Sequence, residues 1–189
     1  LKLNAVIQRG RNDDQLLPLA ALARERGVEL RLIEFMDVGN RNGWRPEAVL
    51  RASEMVERIG AHWPLEPLGR GAHGTASRWR YHDGGGPGAR GGGGHLAVVA
   101  SVSQPFCGDC NRLRVTADGL AYTCLFAAPA SGLDLRPWLQ PGVPALELRQ
   151  RLAALWRQRA DRWSEERREA WRAGEPVVAR HAEMAYLGG

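Results

Sequence analysis

All three cysteines of the chain fall within eighteen residues, as Cys107-Gly108-Asp109-Cys110 followed, after thirteen intervening residues, by Cys124. Two thiolates on one tight turn can reach one metal centre together, and Gly108 is expected to free that turn from steric limits. The third thiolate has to be brought back by the fold. Asp118-Gly119, between Leu113–Ala117 and Leu120–Thr123, is a dipeptide that favours a two-residue hairpin turn. The spacing therefore predicts a hairpin that returns Cys124 towards the CxxC loop.

Three chemistries can use such a set. A disulfide with a spare thiol suits secreted chains, yet no charged-then-apolar segment opens this sequence. A zinc site needs a fourth ligand, for which His62, His73, His82, His95 and His181 are the candidates, none at finger spacing. An iron–sulfur cluster on three cysteines leaves one iron open to a substrate atom. Arg112 and Arg114, two apart in a predicted strand, leave on one face beside these thiols. Their planar forks suit phosphate oxygens.

The rest of the chain alternates strand and helix before it changes character. Lys2 to Gln8 reads as a strand; Asn12, Asp13 and Asp14 offer caps for a helix to about Arg26, closed by Gly27. Glu29 to Phe35 reads as a second strand, and Pro46 opens a predicted helix to about His62. Such alternation implies parallel strands with covering helices, with chemistry at the strands' C-terminal ends, where Met36 falls. Asp83 to Gly94 is a predicted flexible surface loop, since eight of the eleven residues from Gly84 to Gly94 are glycine, and no phosphate cradle, since no GK[ST] follows. Leu96 to Val102 is a further predicted strand, and Ala145 to Arg159 a predicted amphipathic helix with an apolar stripe of Leu146, Leu148, Leu152, Leu155 and Trp156. In residues 161–174 Trp163 and Trp171 sit among mixed charges; interspersed acids favour tryptophans that anchor a solvated helix over a nucleic-acid surface.

With 189 residues, 44% of them hydrophobic, the chain can bury a core as one domain or slightly more. No apolar run approaches a membrane span, so a cytoplasmic location is the expectation. A net charge of +5 points to an anionic partner. Lys2 is the sole lysine among 26 basic residues, and Arg31 and Glu34 are charges inside an apolar strand, costly without partners.

The stretch PFCGDCNRLRVTADGLAYTCLF closely resembles the C-terminal iron–sulfur motif of the GTP 3′,8-cyclases, radical S-adenosylmethionine enzymes of molybdopterin biosynthesis. LKLNAVIQRGRNDDQ through ELRLIEFMDVGN is similar to the later strands of that family's barrel, and MAYLGG resembles its terminal Gly-Gly tail. The resemblance implies an α/β chain: later strand–helix units of an incomplete TIM-type radical SAM barrel over 1–68, then a C-terminal α+β region over 69–189 with a 4Fe-4S site. It implies that Cys107, Cys110 and Cys124 hold a cluster whose open iron meets the guanine of GTP. Arg112, Leu113 and Arg114 match the family's GTP-contacting segment, Lys2 and Arg31 its triphosphate positions, Met36 one that touches S-adenosylmethionine, and Gly188 and Gly189 the catalytic tail pair.

The family starts its reaction at a separate N-terminal CxxxCxxC, which this sequence lacks. The chain therefore reads as the C-terminal part of a longer enzyme, not competent alone to generate the 5′-deoxyadenosyl radical. In the family that radical takes hydrogen from the ribose of GTP, after which purine C8 is joined to the sugar. GTP and the missing N-terminal half are the implied partners; a homodimer stays open, and nucleic acid is disfavoured. The alternative is a non-enzymatic zinc- or nucleic-acid-binding module built on the same cysteines.

Overall fold

The computed structural model describes residues 1–72, 74–86, 94–174 and 181–187. The chain divides into two compact units, Leu1–Met36 with Trp44–Cys110, and Asp37–Gly43 with Asn111–Gly189.

The first unit is a mixed five-stranded sheet in the order β1-β2-β5-β4-β3. Strands β1 (Lys2–Ile7), β2 (Glu29–Glu34) and β5 (His95–Val99) run parallel. Helix α1 (Leu16–Arg26) joins the first two, and helix α2 (Ala52–Gly60) follows β2. Beyond them β3 (Leu65–Arg70) and β4 (Ser77–Tyr81) form an antiparallel hairpin on the edge of β5, strands that the periodicity did not announce. Position 68, at the end of the 1–68 segment, lies within β3. Alternation sends Leu30 and Leu32, with Leu96 and Val98, to a face that buries Leu16, Ala20, Met55 and Ile59. Ile33, Ala97 and Val99 turn to the other face, where they meet Phe106 and Cys110.

Two helix starts differ from expectation. Pro46 opens only a 3₁₀ turn to Ala48; Val49 is extended and bridges Gln8, so α2 begins at Ala52. Asn12 caps no helix: its carboxamide takes the Gln8 N–H and donates to Val6 O, fastening the end of β1. Gly27 does end α1 in the left-handed region (φ 67°), donating to Ala23 O.

In the second unit β6 (Arg114–Val115), β7 (Leu120–Tyr122) and β8 (Leu133–Asp134) make a small antiparallel sheet, followed by α3 (Ala145–Arg157) and α4 (Trp163–Ala173). The hairpin at Asp118-Gly119 forms, one residue displaced. Thr116 O accepts from Gly119 N–H and the left-handed residue (φ 85°) is Gly119, after the turn, as in a turn followed by a bulge. Helix α3 buries none of its residues, and Leu146 is exposed.

Candidate functional site

Cys107 to Asp109 is a 3₁₀ turn, closed by Cys110 N–H donating to Cys107 O at 3.3 Å, so both thiols stand on one loop. Gly108 is not sterically required: its φ lies outside the left-handed region and a Cβ there would meet open space. A 3₁₀ turn runs at ordinary negative φ. Side chains instead fix the loop. Arg70, at the end of β3, pairs with Asp109 at 2.5 Å and lies over the Phe106 ring at 5.4 Å. Phe106 and Cys110 are buried on the sheet face of Ala97 and Val99. Upstream, the fully buried Glu34 accepts Val102 N–H (2.7 Å), Ser103 N–H (2.8 Å) and Ser103 O–H (2.5 Å), and also Ala52 N–H (2.7 Å) at the start of α2. One carboxylate thus joins the ends of β2 and β5 to a helix N-terminus, where negative charge is favourable. Gln104 and Phe106 with Arg70, Thr75 and Ser77 line a cavity of about 290 Å³.

The same sheet face carries the cations. In register, Lys2 lies beside Glu29, and Ala97 has Arg31 on one side and Arg78 on the other. Glu29, with 7% of its side chain exposed, gathers all three: Arg78 at 2.6 Å, Arg31 at 3.4 Å and Lys2 at 3.8 Å. Three cations around one carboxylate leave a net positive surface. Arg31 Nε is buried with no hydrogen-bond partner among the described residues, an unmet donor that a ligand oxygen would satisfy. Arg78 escaped the sequence reading because β4 did. Its signal was the alternation of Ser77-Arg78-Trp79-Arg80-Tyr81. Met36 follows the C-terminal end of β2 and is half-buried.

In the second unit burial alternates from Asn111 to Thr116, so Arg112 and Arg114 share the half-buried side while Leu113 and Val115 are exposed. Only Arg114 belongs to a strand, since β6 is two residues long. Cys124 is partly exposed and its sulfur accepts Phe126 N–H at 3.4 Å. Phe126 packs against Trp163 and His181, with centroids at 6.2 and 5.3 Å. Asp37 accepts from Trp163 Nε1 at 2.9 Å and pairs with the buried Arg167. The tryptophan therefore anchors α4 to the Asp37 loop. Arg162 is also paired, with Glu165. Gly188 and Gly189 lie outside the described residues, as do His73 and most of the glycine-rich stretch.

Among the described residues there is no disulfide, and no group of three or more His, Cys, Asp or Glu side chains is already arranged to hold a metal ion. The donor chemistry nonetheless suits a cluster. None of the three cysteines is in a disulfide, an all-sulfur set is what iron–sulfur centres take, and an N–H bond to sulfur like that from Phe126 is one that tunes them.

A profile described as Molybdenum Cofactor Synthesis C matches residues 28–165. The chain belongs to that family. The match spans β2 to the start of α4, including the CxxC loop, the hairpin and Cys124. Relatives within and beyond this match share the whole chain. It is 62% identical over 189 residues to a protein of Synechococcus sp. (strain CC9605) named GTP 3′,8-cyclase, covering 49% of that relative. It is 61% identical to the protein so named in Parasynechococcus marenigrum (strain WH8102), and 49% identical over 192 residues to that of Xanthomonas axonopodis pv. citri (strain 306). This family member thus spans about half the length of the curated relatives it matches. No helix among its described residues is long and apolar enough to cross a membrane.

Proposed function

We propose that the chain is the GTP-binding, cluster-holding portion of a GTP 3′,8-cyclase, which converts GTP to its 3′,8-cyclo-7,8-dihydro form in molybdopterin biosynthesis. One observation carries the reading: Cys110 of the CxxC turn and the Lys2, Arg31 and Arg78 cations occupy one face of one sheet, with Arg31 Nε left unmet. Cys107, Cys110 and Cys124 would hold a 4Fe-4S cluster, which when bound supplies an open iron for the guanine ring. The chain's own residues do the rest of the binding. Lys2 and Arg31, with Arg78, bind triphosphate oxygens, and charge-assisted bonds from guanidinium are the strong ones. Arg112 and Arg114 hold the nucleotide from the half-buried side of their segment, with Leu113 between them. Met36 contacts S-adenosylmethionine. The pair Arg70 and Asp109 keeps the CxxC turn closed.

The start of radical chemistry is assigned to residues that this sequence does not carry, since its three cysteines are all used by the one cluster. Residues 1–68 would then be later units of a radical SAM barrel, and 69–189 the cluster-bearing region.

Anaerobic reconstitution tests the metal: broad visible absorption with about four irons per chain is expected, and one tightly held zinc without iron would sink the proposal in favour of a zinc module. Binding is tested separately. Replacing both Arg112 and Arg114 with Ala should weaken GTP binding about ten-fold or more, the worth of one or two charged hydrogen bonds, at unchanged iron content. Unaltered affinity would remove them from the site.

A further inference from the structure

We infer that the loop Asp37–Gly43 and the turn at Asp118 form a docking cradle for the segment His181–Leu187, with Asn40 as its positioning residue. Asn40 treats the segment as a peptide would. Its Nδ2 donates to His181 O at 2.7 Å and its Oδ1 accepts His181 N–H at 3.2 Å. Two residues on, Glu183 Oε1 accepts from Asn40 N–H at 3.2 Å and from Nδ2 at 3.1 Å, with Arg41 Nε at 3.9 Å. Gly39 suits the approach: its φ is +68°, a conformation that favours glycine, and a Cβ would stand 2.5 Å from Glu183 Oε2, so the carboxylate would have to shift.

The segment is held along its length. Ala182 N–H donates to Ala127 O at 2.9 Å, and His181 Nδ1 lies 2.7 Å from Phe126 O with its ring 4.5 Å from that of Trp163. At the far end Tyr186 O–H donates to Asp118 at 2.8 Å, the Tyr186 ring meets Tyr122 edge-on at 6.4 Å, and Leu187 is buried. Ordering a backbone costs about 1–2 kcal/mol per residue, so no single one of these contacts fixes seven residues. The set does, and Asn40, touching both His181 and Glu183, sets their register.

The consequence rests on the proposal that Gly188 and Gly189 act in the reaction. Two residues following a fixed point reach at most about 7 Å from it. Docking through Leu187 therefore sets where such a pair can act, and releasing the segment dissolves that limit without removing any proposed ligand of the nucleotide or the cluster.

The test uses the complete enzyme carrying this chain. In Asn40→Ala, hydrogen exchange of the 181–187 peptide should speed up about ten-fold or more, as for the loss of two or more hydrogen bonds. At the same time kcat should fall by a similar factor, with KM for GTP and iron per chain unchanged. A merely structural role would also raise KM and lower iron per chain. Gly39→Ala, which strains a left-handed position and displaces the Glu183 carboxylate, should reproduce the effect. Unchanged exchange in both Asn40→Ala and Gly39→Ala overturns the cradle. Faster exchange with full turnover overturns the positioning role. A parallel deletion of Gly188 and Gly189 then apportions the failure: if the deletion also leaves turnover intact, the Gly-Gly reading fell first; if it abolishes turnover, the inference about Asn40 alone is wrong.

Discussion

Glu34 and Asp37 are three residues apart in the sequence, yet each organises a different unit by a different kind of bond. Glu34 is fully buried and takes three backbone N–H groups and one hydroxyl, all from the first unit. Asp37 takes the indole of Trp163 and the guanidinium of Arg167, side chains that reach it from α4 in the second unit. Backbone donors have no rotamers to freeze, whereas long side chains lose rotamer freedom when they are fixed. The first arrangement fastens elements that the apolar alternation of β2 and β5 already places. The second has to create the placement, because α3 buries nothing and β6 is two residues long.

Removing the two carboxylate clasps gives the sharpest test of that contrast. Glu34→Ala strands three backbone donors at once, and at about 1–3 kcal/mol for each unsatisfied group the loss should reach about 4 kcal/mol. Denaturant unfolding should show a much lower midpoint, with the CxxC turn losing protection because Val102 and Ser103 are released. Arg167→Met comes next, at about 3 kcal/mol, the low end for breaking a buried pair. It should act on exchange in α4 and at His181 while leaving β1, β2 and β5 protected. If both variants melted the same residues, the separation into a backbone-fastened and a side-chain-fastened unit would be wrong.

Arg70→Ala is a smaller perturbation of the first unit. The pair with Asp109 is partly exposed, 30% and 55% by side chain, so its contribution to stability is about 0.5 kcal/mol. The expected effect is local: midpoints nearly unchanged, but faster removal of iron by a chelator from the reconstituted protein, since Arg70 holds both Asp109 and the Phe106 ring. Chelation at the parental rate would mean that Glu34 and the apolar packing of Cys110 suffice to hold the loop.

The contrast also explains what could be read in advance. Strands β1, β2 and β5, the end of α1 at Gly27 and the hairpin before Cys124 follow from alternation and turn chemistry, which are local. The β3 and β4 hairpin was missed because Pro67, Gly69 and Gly71 hide the period, and β3 carries a register shift between Pro67 and Gly69. The thiols and the pair Arg112 and Arg114 were legible as a short motif. Arg70, Arg78, Asn40 and Asp37 were not, because their partners lie from 39 to 143 residues away. Glu34 stood out as a charge in an apolar strand, but its role depends on N–H groups, which no sequence displays.

The smallest expected effect concerns the far end of the docked segment. Hydrogen bonds from Thr116 and then Tyr186 hold the Asp118 carboxyl below its usual range, and the bond to Asp118 raises the Tyr186 phenol above its own. A depressed carboxylate gives stability that is present above its unfolded value of about 3.9 and is lost as pH falls through the folded one. A raised phenol gives stability that is present below about 10 and is lost as pH rises through its folded value, where the ionised oxygen no longer donates and faces a like charge. The Tyr186 end of the segment should therefore loosen on the alkaline side above about pH 10, and Tyr186→Phe should remove that limb while leaving the acid limb, which Thr116 also supports. The clasp on Asp37 uses an indole and a guanidinium, neither of which titrates in this window, so exchange in α4 should stay flat. An alkaline step in α4 equal to that at residues 181–187 would mean that the two ends of the segment open as one, and that Tyr186 is no separate latch.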